Sequence, residues 1–200
     1  MRRMFPGVQI DKMLASAPGK TWETKILYIY GDSGLGKTST ITRVLQGIHD
    51  RHTEIDFFKK GRVNKWFDGY DYQKILWIDD VNRLQYDRSG EGIDTLKLCV
   101  GEGPQQIEVK HGMMQFRSHL IILSSQLSPR DLCCQLDDVD KEAVLSRLTG
   151  DRALEDPICV NQRGFTMDVL KFRLLDAIAH LSELEEWSLE TKDVEELCRS

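Results

Sequence analysis

Apolar residues in this chain gather in short runs separated by polar stretches. Ile26-Leu27-Tyr28-Ile29-Tyr30, Ile55–Phe58, Ile75–Ile78 and His119–Leu123 are compact, β-prone segments, and each predicts a buried strand. Helix-compatible stretches lie between them, at about 38–47 and 92–99. Strands alternating with helices predict a parallel α/β sheet flanked by helices. Residues 105–117 break this rhythm. Gln106 to Lys110 alternates like a strand, His111-Gly112 reads as a tight turn, and Met113–Phe116 can return, so a β-hairpin insertion is expected. From Asp131 the chain becomes acidic and helical. Phe165, Val169, Phe172 and Ile178 suggest the packing face of a helix over 166–181. Val8 to Ala15 suggests a short helix before the turn residues Ala17-Pro18-Gly19. The expected division is a lead-in at 1–24, a main domain at 25–150 and a helical C-terminal appendage at 151–200.

Composition narrows the class. The chain has 200 residues, 40% hydrophobic and 30% charged, which suits one globular domain with a small appendage. Leu120–Leu123 is its longest aliphatic run, far short of a membrane span. The opening Met-Arg-Arg-Met-Phe-Pro-Gly lacks the apolar core of a secretory signal. Five cysteines, none in a C-x-x-C spacing, point to reduced thiols in a cytosolic or nuclear setting. His49, His52 and Glu54 have no second ligand pair at a metal-binding spacing and read as a polar loop. The net charge of −5 hides an asymmetry, because residues 131–200 carry −9 and residues 1–130 carry +4. Lys59, Lys60, Arg62 and Lys65 form a cluster free of acids. It suits a solvated surface run and a phosphate-contacting patch equally.

The chemistry concentrates in Gly31-Asp32-Ser33-Gly34-Leu35-Gly36-Lys37-Thr38, with Ser39 following. This octet fits G-x-x-x-x-G-K-[ST] between a predicted strand and a predicted helix. Glycines let successive backbone N–H groups face a triphosphate, and the helix N-terminus adds positive dipole. Lys37 suits the β- and γ-phosphates of ATP, and the Thr38 hydroxyl suits Mg²⁺. Ile75-Leu76-Trp77-Ile78 ends in Asp79-Asp80. The first acid is placed to hold the hydrated metal, and the second to orient or deprotonate an attacking water. The strand after it ends in Ser124-Ser125-Gln126, where an amide that both donates and accepts suits a γ-phosphate sensor.

Further motifs carry a resemblance to a family. Asn64-Lys65-Trp66-Phe67-Asp68-Gly69-Tyr70, Trp22-x-Thr24, Ile107-Glu108-Val109-Lys110-His111-Gly112 and Glu142–Leu148 resemble the helicase region of the replication-associated proteins of circovirus-like, circular single-stranded DNA viruses. These are superfamily 3 helicases of the AAA+ class, and the resemblance covers roughly residues 10–150. It implies a P-loop ATPase acting on single-stranded DNA as a homo-oligomeric ring, a hexamer, in the host nucleus. A nicking domain would be fused upstream or supplied in trans. It also implies that Lys110, with His111 beside it at a hairpin tip, grips DNA phosphate, and that Arg147 is an arginine finger for the neighbouring subunit's nucleotide. Gln126 stands where the family normally has asparagine, about 1.5 Å longer in reach. Two other readings remain open: a superfamily 3 helicase of an RNA virus, and a non-catalytic module that binds nucleic acid or assembles without turnover.

Overall fold

Ile26, Leu27, Tyr28 and Ile29 are all fully buried, so this strand is covered on both faces, as a central parallel strand must be. The computed structural model describes residues 22–61, 63–81, 91–101, 103, 105–161, 165–184, 192–193 and 196–197. The expected helix at 8–15 and Arg62 lie outside them. Strand β1 (Lys25–Tyr30) is followed by helix α1 (Lys37–Arg51), β2 (Phe57–Lys60), β3 (Ile75–Ile78) and α2 (Glu91–Val100). Next come β4 (Gln106–Val109), β5 (Gly112–Gln115), β6 (Leu120–Ser125), α3 (Pro129–Leu132), α4 (Asp138–Thr149), β7 (Ile158–Cys159) and α5 (Met167–Leu184).

The main sheet has the order β2-β3-β6-β1-β7, and every pairing is parallel. This is the α/β architecture expected of a P-loop protein. Leu27, Ile29, Trp77 and Ile122 face a core shared with α1 and α5. Ile26, Tyr28, Leu76, Ile78 and Leu123 face the opposite core, shared with α2, α4 and the β4–β5 hairpin. Interleaving β6 between β1 and β3 brings the ends of three apolar strands, Tyr30, Ile78 and Ser125, to one edge. Ligands of open α/β sheets bind at that carboxyl edge.

Several boundaries differ from the expectation for physical reasons. β2 begins two residues later than Ile55–Phe58, because Ile55 is buried from the turn closing α1, where its N–H bonds His52 O at 2.9 Å. α1 itself runs on to Arg51, so His49 is helical and not in a loop. The hairpin pairs Val109 with Gly112, so its two turn residues are Lys110 and His111, not His111 and Gly112. His111 takes the left-handed conformation there, with φ 70. In α5 the buried stripe is Leu170, Leu174, Leu175, Ile178 and Leu181, whereas Phe172 is 55% exposed and Val169 also faces outward. Two apolar rows compete on that helix, and the leucine row takes the core.

The chain beyond residue 150 joins the same sheet. Ile26 N donates to Arg152 O, Leu154 N donates to Ile26 O, and Val160 N donates to Tyr30 O at 2.9 Å. α5 then lies against α1. The Trp22-x-Thr24 motif also gains a role. Trp22 stacks on His119 at 4.0 Å between ring centroids, and the Thr24 hydroxyl donates to Ser118 O at 2.8 Å, anchoring the start of β1 to the start of β6. Among the described residues, no helix is long and apolar enough to cross a membrane.

Candidate active site

The loop between β1 and α1 is shaped by glycine. Gly34 and Gly36 adopt φ 82 and φ 88, which L side chains rarely take. Gly31, at φ 149, is pressed from behind by β7's continuation. A β-carbon there would lie 2.2 Å from Val160 Cγ2 and 2.6 Å from Asn161 Oδ1. Asn161 Oδ1 also accepts the Asp32 N–H at 2.7 Å. Gly31→Ala is therefore expected to cost about 1–3 kcal/mol through overpacking and backbone strain. Thermal unfolding of the variant checks this, and an unchanged midpoint would refute the close-packing argument.

A cleft of about 600 Å³ lies above the loop, between residues 33, 34 and 36–39 on one side and Asp79, Asp80, Ser124, Ser125 and Gln126 on the other. Lys37 donates from Nζ to Gly31 O at 2.6 Å and Asp32 O at 2.7 Å. Burial pulls its ammonium below the ordinary lysine range, against the opposing pull of Asp80, Asp32 and Asp79. The Thr38 hydroxyl donates across the cleft to Asp79 Oδ1 at 3.0 Å. The structure thus brings the loop lysine, the loop threonine and both aspartates into one cleft. Gly31 and Asp32 support the loop from behind without lining the cleft, and Leu35 is partly exposed.

Asp79 is held by three donors. Ser124 Oγ donates to Oδ1 at 2.7 Å, Thr38 donates to the same oxygen, and Lys59 Nζ lies 2.8 Å from Oδ2. Burial alone would raise its pKa, but the bonds from Lys59, Ser124 and Thr38 outweigh burial and hold the carboxyl below its ordinary value. Asp80 sits at φ 50, a left-handed conformation uncommon for a non-glycine residue. Its N–H donates to Ser124 Oγ at 3.3 Å, and Gln126 Nε2 donates to its Oδ1 at 3.2 Å. The longer amide of Gln126 therefore does reach the second aspartate. A carboxylate and a hydroxyl side by side are hard oxygen donors that suit Mg²⁺, which takes one or two protein ligands and completes its shell from phosphate and water. Thr38 and Asp79 fit that ion. Among the described residues, no group of three His, Cys, Asp or Glu side chains offers an alternative metal site.

The Asn64–Tyr70 run is a structural clasp. Asn64 Oδ1 accepts from Lys60 Nζ at 2.5 Å and from Trp66 N at 3.2 Å, and Lys60 Nζ also bonds Trp66 O. Phe67 is buried between Tyr70 and Phe116, with Lys60 Nζ 4.2 Å above its ring. Burial lowers the Lys60 pKa to about 8. Asp68 Oδ1 accepts the Lys110 N–H at 2.6 Å, and Phe67 N donates to Glu108 O at 2.9 Å. The clasp thus fixes the hairpin whose exposed tip is Lys110 and His111. The basic cluster is accordingly divided: Lys60 is buried, Lys59 turns to Asp79, and Lys65 lies 3.6 Å from Glu108.

Arg147 lies on α4, and its Nη1 donates to Ala143 O at 2.5 Å. It does not line the cleft of its own chain. Sequence reasoning missed Ser124 as an anchor, Lys59 as the partner of Asp79, and Asn161 as a loop support. Only Ser124 carried a local signal, as a small polar residue ending an apolar strand.

A family model for RNA helicase matches residues 27–127, half of the chain. The replication-associated protein of goose circovirus is 30% identical over 133 residues, covering 66% of this chain and 40% of that protein. Those of porcine circovirus 1 and porcine circovirus 2 are 27% and 28% identical over 149 residues, covering 74% of this chain and 43% of each. The chain thus spans about two fifths of the length of the curated relatives it matches. With a parallel P-loop sheet, its paired aspartates and these relatives together, the chain belongs to the RNA helicase family and is a superfamily 3 helicase domain of the circovirus-like replication-associated kind.

Proposed function

We propose that this domain hydrolyses ATP and couples the reaction to movement along single-stranded DNA during rolling-circle-type viral replication in the host nucleus. The observation that carries the reading is the 3.0 Å hydrogen bond from Thr38 to Asp79, which joins the phosphate loop to the acid pair across one cleft. In this reading the amides of Gly31 to Ser39 cradle the phosphates, and Lys37 exchanges its backbone partners for β- and γ-phosphate oxygens. Thr38 and Asp79 hold Mg²⁺, which supplies charge neutralisation at those oxygens. Asp80 orients the attacking water and accepts its proton. Gln126, bonded to Asp80, aligns that carboxylate with the γ-phosphate.

Arg147 completes the neighbouring subunit's site in a homo-oligomeric ring, a hexamer by resemblance to the family. That it does not line the cleft of its own chain agrees with this placement. Lys110 and His111 contact DNA phosphate from the hairpin tip. A nicking activity would come from a fused domain or a separate chain. The test is phosphate release with and without single-stranded DNA, measured against protein concentration. Stimulation by DNA and a steep concentration dependence are expected. Arg147→Ala is expected to lower turnover by about 10³-fold while leaving nucleotide affinity near wild type. Turnover that is linear in protein and indifferent to Arg147 would refute shared sites.

The family model's own description favours one second reading, RNA as the substrate. Competition of RNA against single-stranded DNA of equal length separates the two. No turnover under any condition, with nucleotide still bound, would leave the non-catalytic module.

A further inference from the structure

We infer that Lys59 is a resident counter-ion of Asp79 that competes with the divalent cation and makes metal binding conditional on nucleotide. The inference rests on the reading of Thr38 and Asp79 as the metal-holding pair. Lys59 comes from β2, on the side of β3 remote from the phosphate loop. The parallel register places it beside Trp77, and Asp79 N donates to Lys60 O at 3.0 Å, so β2 continues alongside the acid pair. Its ammonium lies 2.8 Å from Asp79 Oδ2 and 4.0 Å from the centre of the Trp77 ring. Trp77 is itself fully buried and bonded to Ser124, so the ring is a fixed platform for the cation.

The two oxygens of Asp79 have different partners. Oδ1 takes the hydroxyls of Ser124 and Thr38 on the cleft side. Oδ2 takes Lys59, which does not line the nucleotide cleft and lines instead a separate hollow with Phe58, Trp66 and Asp68. Lys59 therefore reaches the carboxylate from outside while Oδ1 faces the cleft. The Asp79 side chain is only 14% exposed, and a carboxylate so enclosed is costly without a positive partner. Lys59 supplies that partner when no metal is bound. It withdraws charge from the carboxylate and repels a second cation placed on Oδ1. A divalent ion then gains enough ligands only when nucleotide phosphates add theirs, and it leaves with them.

Outer-shell partners change metal affinity by about 10–100-fold, and a cationic partner acts against the metal. The test is Mn²⁺ binding to the whole chain without nucleotide, followed by electron paramagnetic resonance. Lys59→Met is expected to bind Mn²⁺ about 10-fold more tightly than wild type, and Lys59→Arg to remain near wild type. Damage to the fold would weaken binding, so a gain cannot arise from misfolding. Equal or weaker Mn²⁺ binding by Lys59→Met overturns the inference, as does an equal gain in Lys59→Arg. A fluorescent ATP analogue titrated in chelator gives the second arm, with wild type and Lys59→Met expected to bind it equally. Absence of analogue binding in both would overturn the nucleotide reading of the cleft, and the Mn²⁺ comparison would still decide the role of Lys59.

Discussion

Lys37→Ala is expected to lower nucleotide turnover by about 10²–10³-fold and, unlike Arg147→Ala, to weaken nucleotide binding as well, which makes it the broadest functional effect of a single change in this domain. The side chain is nine-tenths buried beneath the cleft, and its ammonium is already directed by two loop carbonyls. It is held ready, and little reorganisation is needed to bring it to a phosphate. Preorganised charge in an enclosed site is worth far more than the same charge in water. Asp79 and Asp80 line the same cleft, so removal of the ammonium also leaves two carboxylates facing a triphosphate with less compensation. Nucleotide affinity is expected to fall together with turnover, because ground-state phosphate charge meets the same group. Phosphate release under single-turnover conditions, with an independent measure of folding, checks the result. Full activity in Lys37→Ala would overturn the assignment of the whole cleft.

The largest effect on stability is expected from Phe67→Ala, at about 3–5 kcal/mol and so about 10 °C in the unfolding midpoint. Phe67 is 1% exposed and meets Tyr70 and Phe116 edge-to-face, both with centroids 6.1 Å away. Truncation opens a cavity at the junction of β2, the clasp and the hairpin. It also takes from the buried Lys60 ammonium the ring it lies over. The neighbouring Trp66 is 47% exposed, and Trp66→Ala is expected to stay within about 0.5 kcal/mol of wild type. Thermal melts of the two variants, one position apart, give a direct comparison. Equal shifts would refute the assignment of Phe67 to the core. A further expectation is loosening of the hairpin in Phe67→Ala, because Phe116, directly after β5, loses the ring it packs against.

The parts legible in the sequence were those whose chemistry fixes local spacing. A loop that must present successive amides to phosphate needs its glycines and lysine at set intervals, so Gly31 to Thr38 could be read directly. Asp79 and Asp80 were visible because a wholly apolar strand of four residues has to end somewhere, and two acids mark where it meets the cleft. The hairpin was legible from alternation at 106–109, although its turn sits one residue earlier than expected. Contacts between distant positions were not legible. Nothing near Asn161 marks it as a partner of Asp32, 129 positions away. Lys59 and Lys60 are adjacent and chemically identical, yet strand alternation sends one to Asp79 and buries the other under Phe67. The outward Phe172 shows the same limit, since periodicity names possible faces and only the completed core selects one.

The Asn64–Tyr70 clasp also changes the meaning of its own residues. Composition alone gives no mechanism for this run. The structure gives Asn64 and Asp68 a backbone to hold, with Asn64 and Lys60 closing the bend and Asp68 seizing the hairpin tip. Tyr70 completes it, with its hydroxyl accepting Arg117 N at 2.8 Å and meeting Ser118 Oγ at 3.2 Å. Strand β2, the hairpin and the start of β6 are thereby joined to one another.

Val160 and Asn161 press against a loop that was laid down far earlier in the polypeptide. A nascent chain therefore carries its complete glycine-lysine octet long before it owns the brace that steadies it, since 129 positions separate Asp32 from Asn161. For the same reason a cut made after residue 150 would separate the loop from its back wall and leave that wall on the discarded fragment.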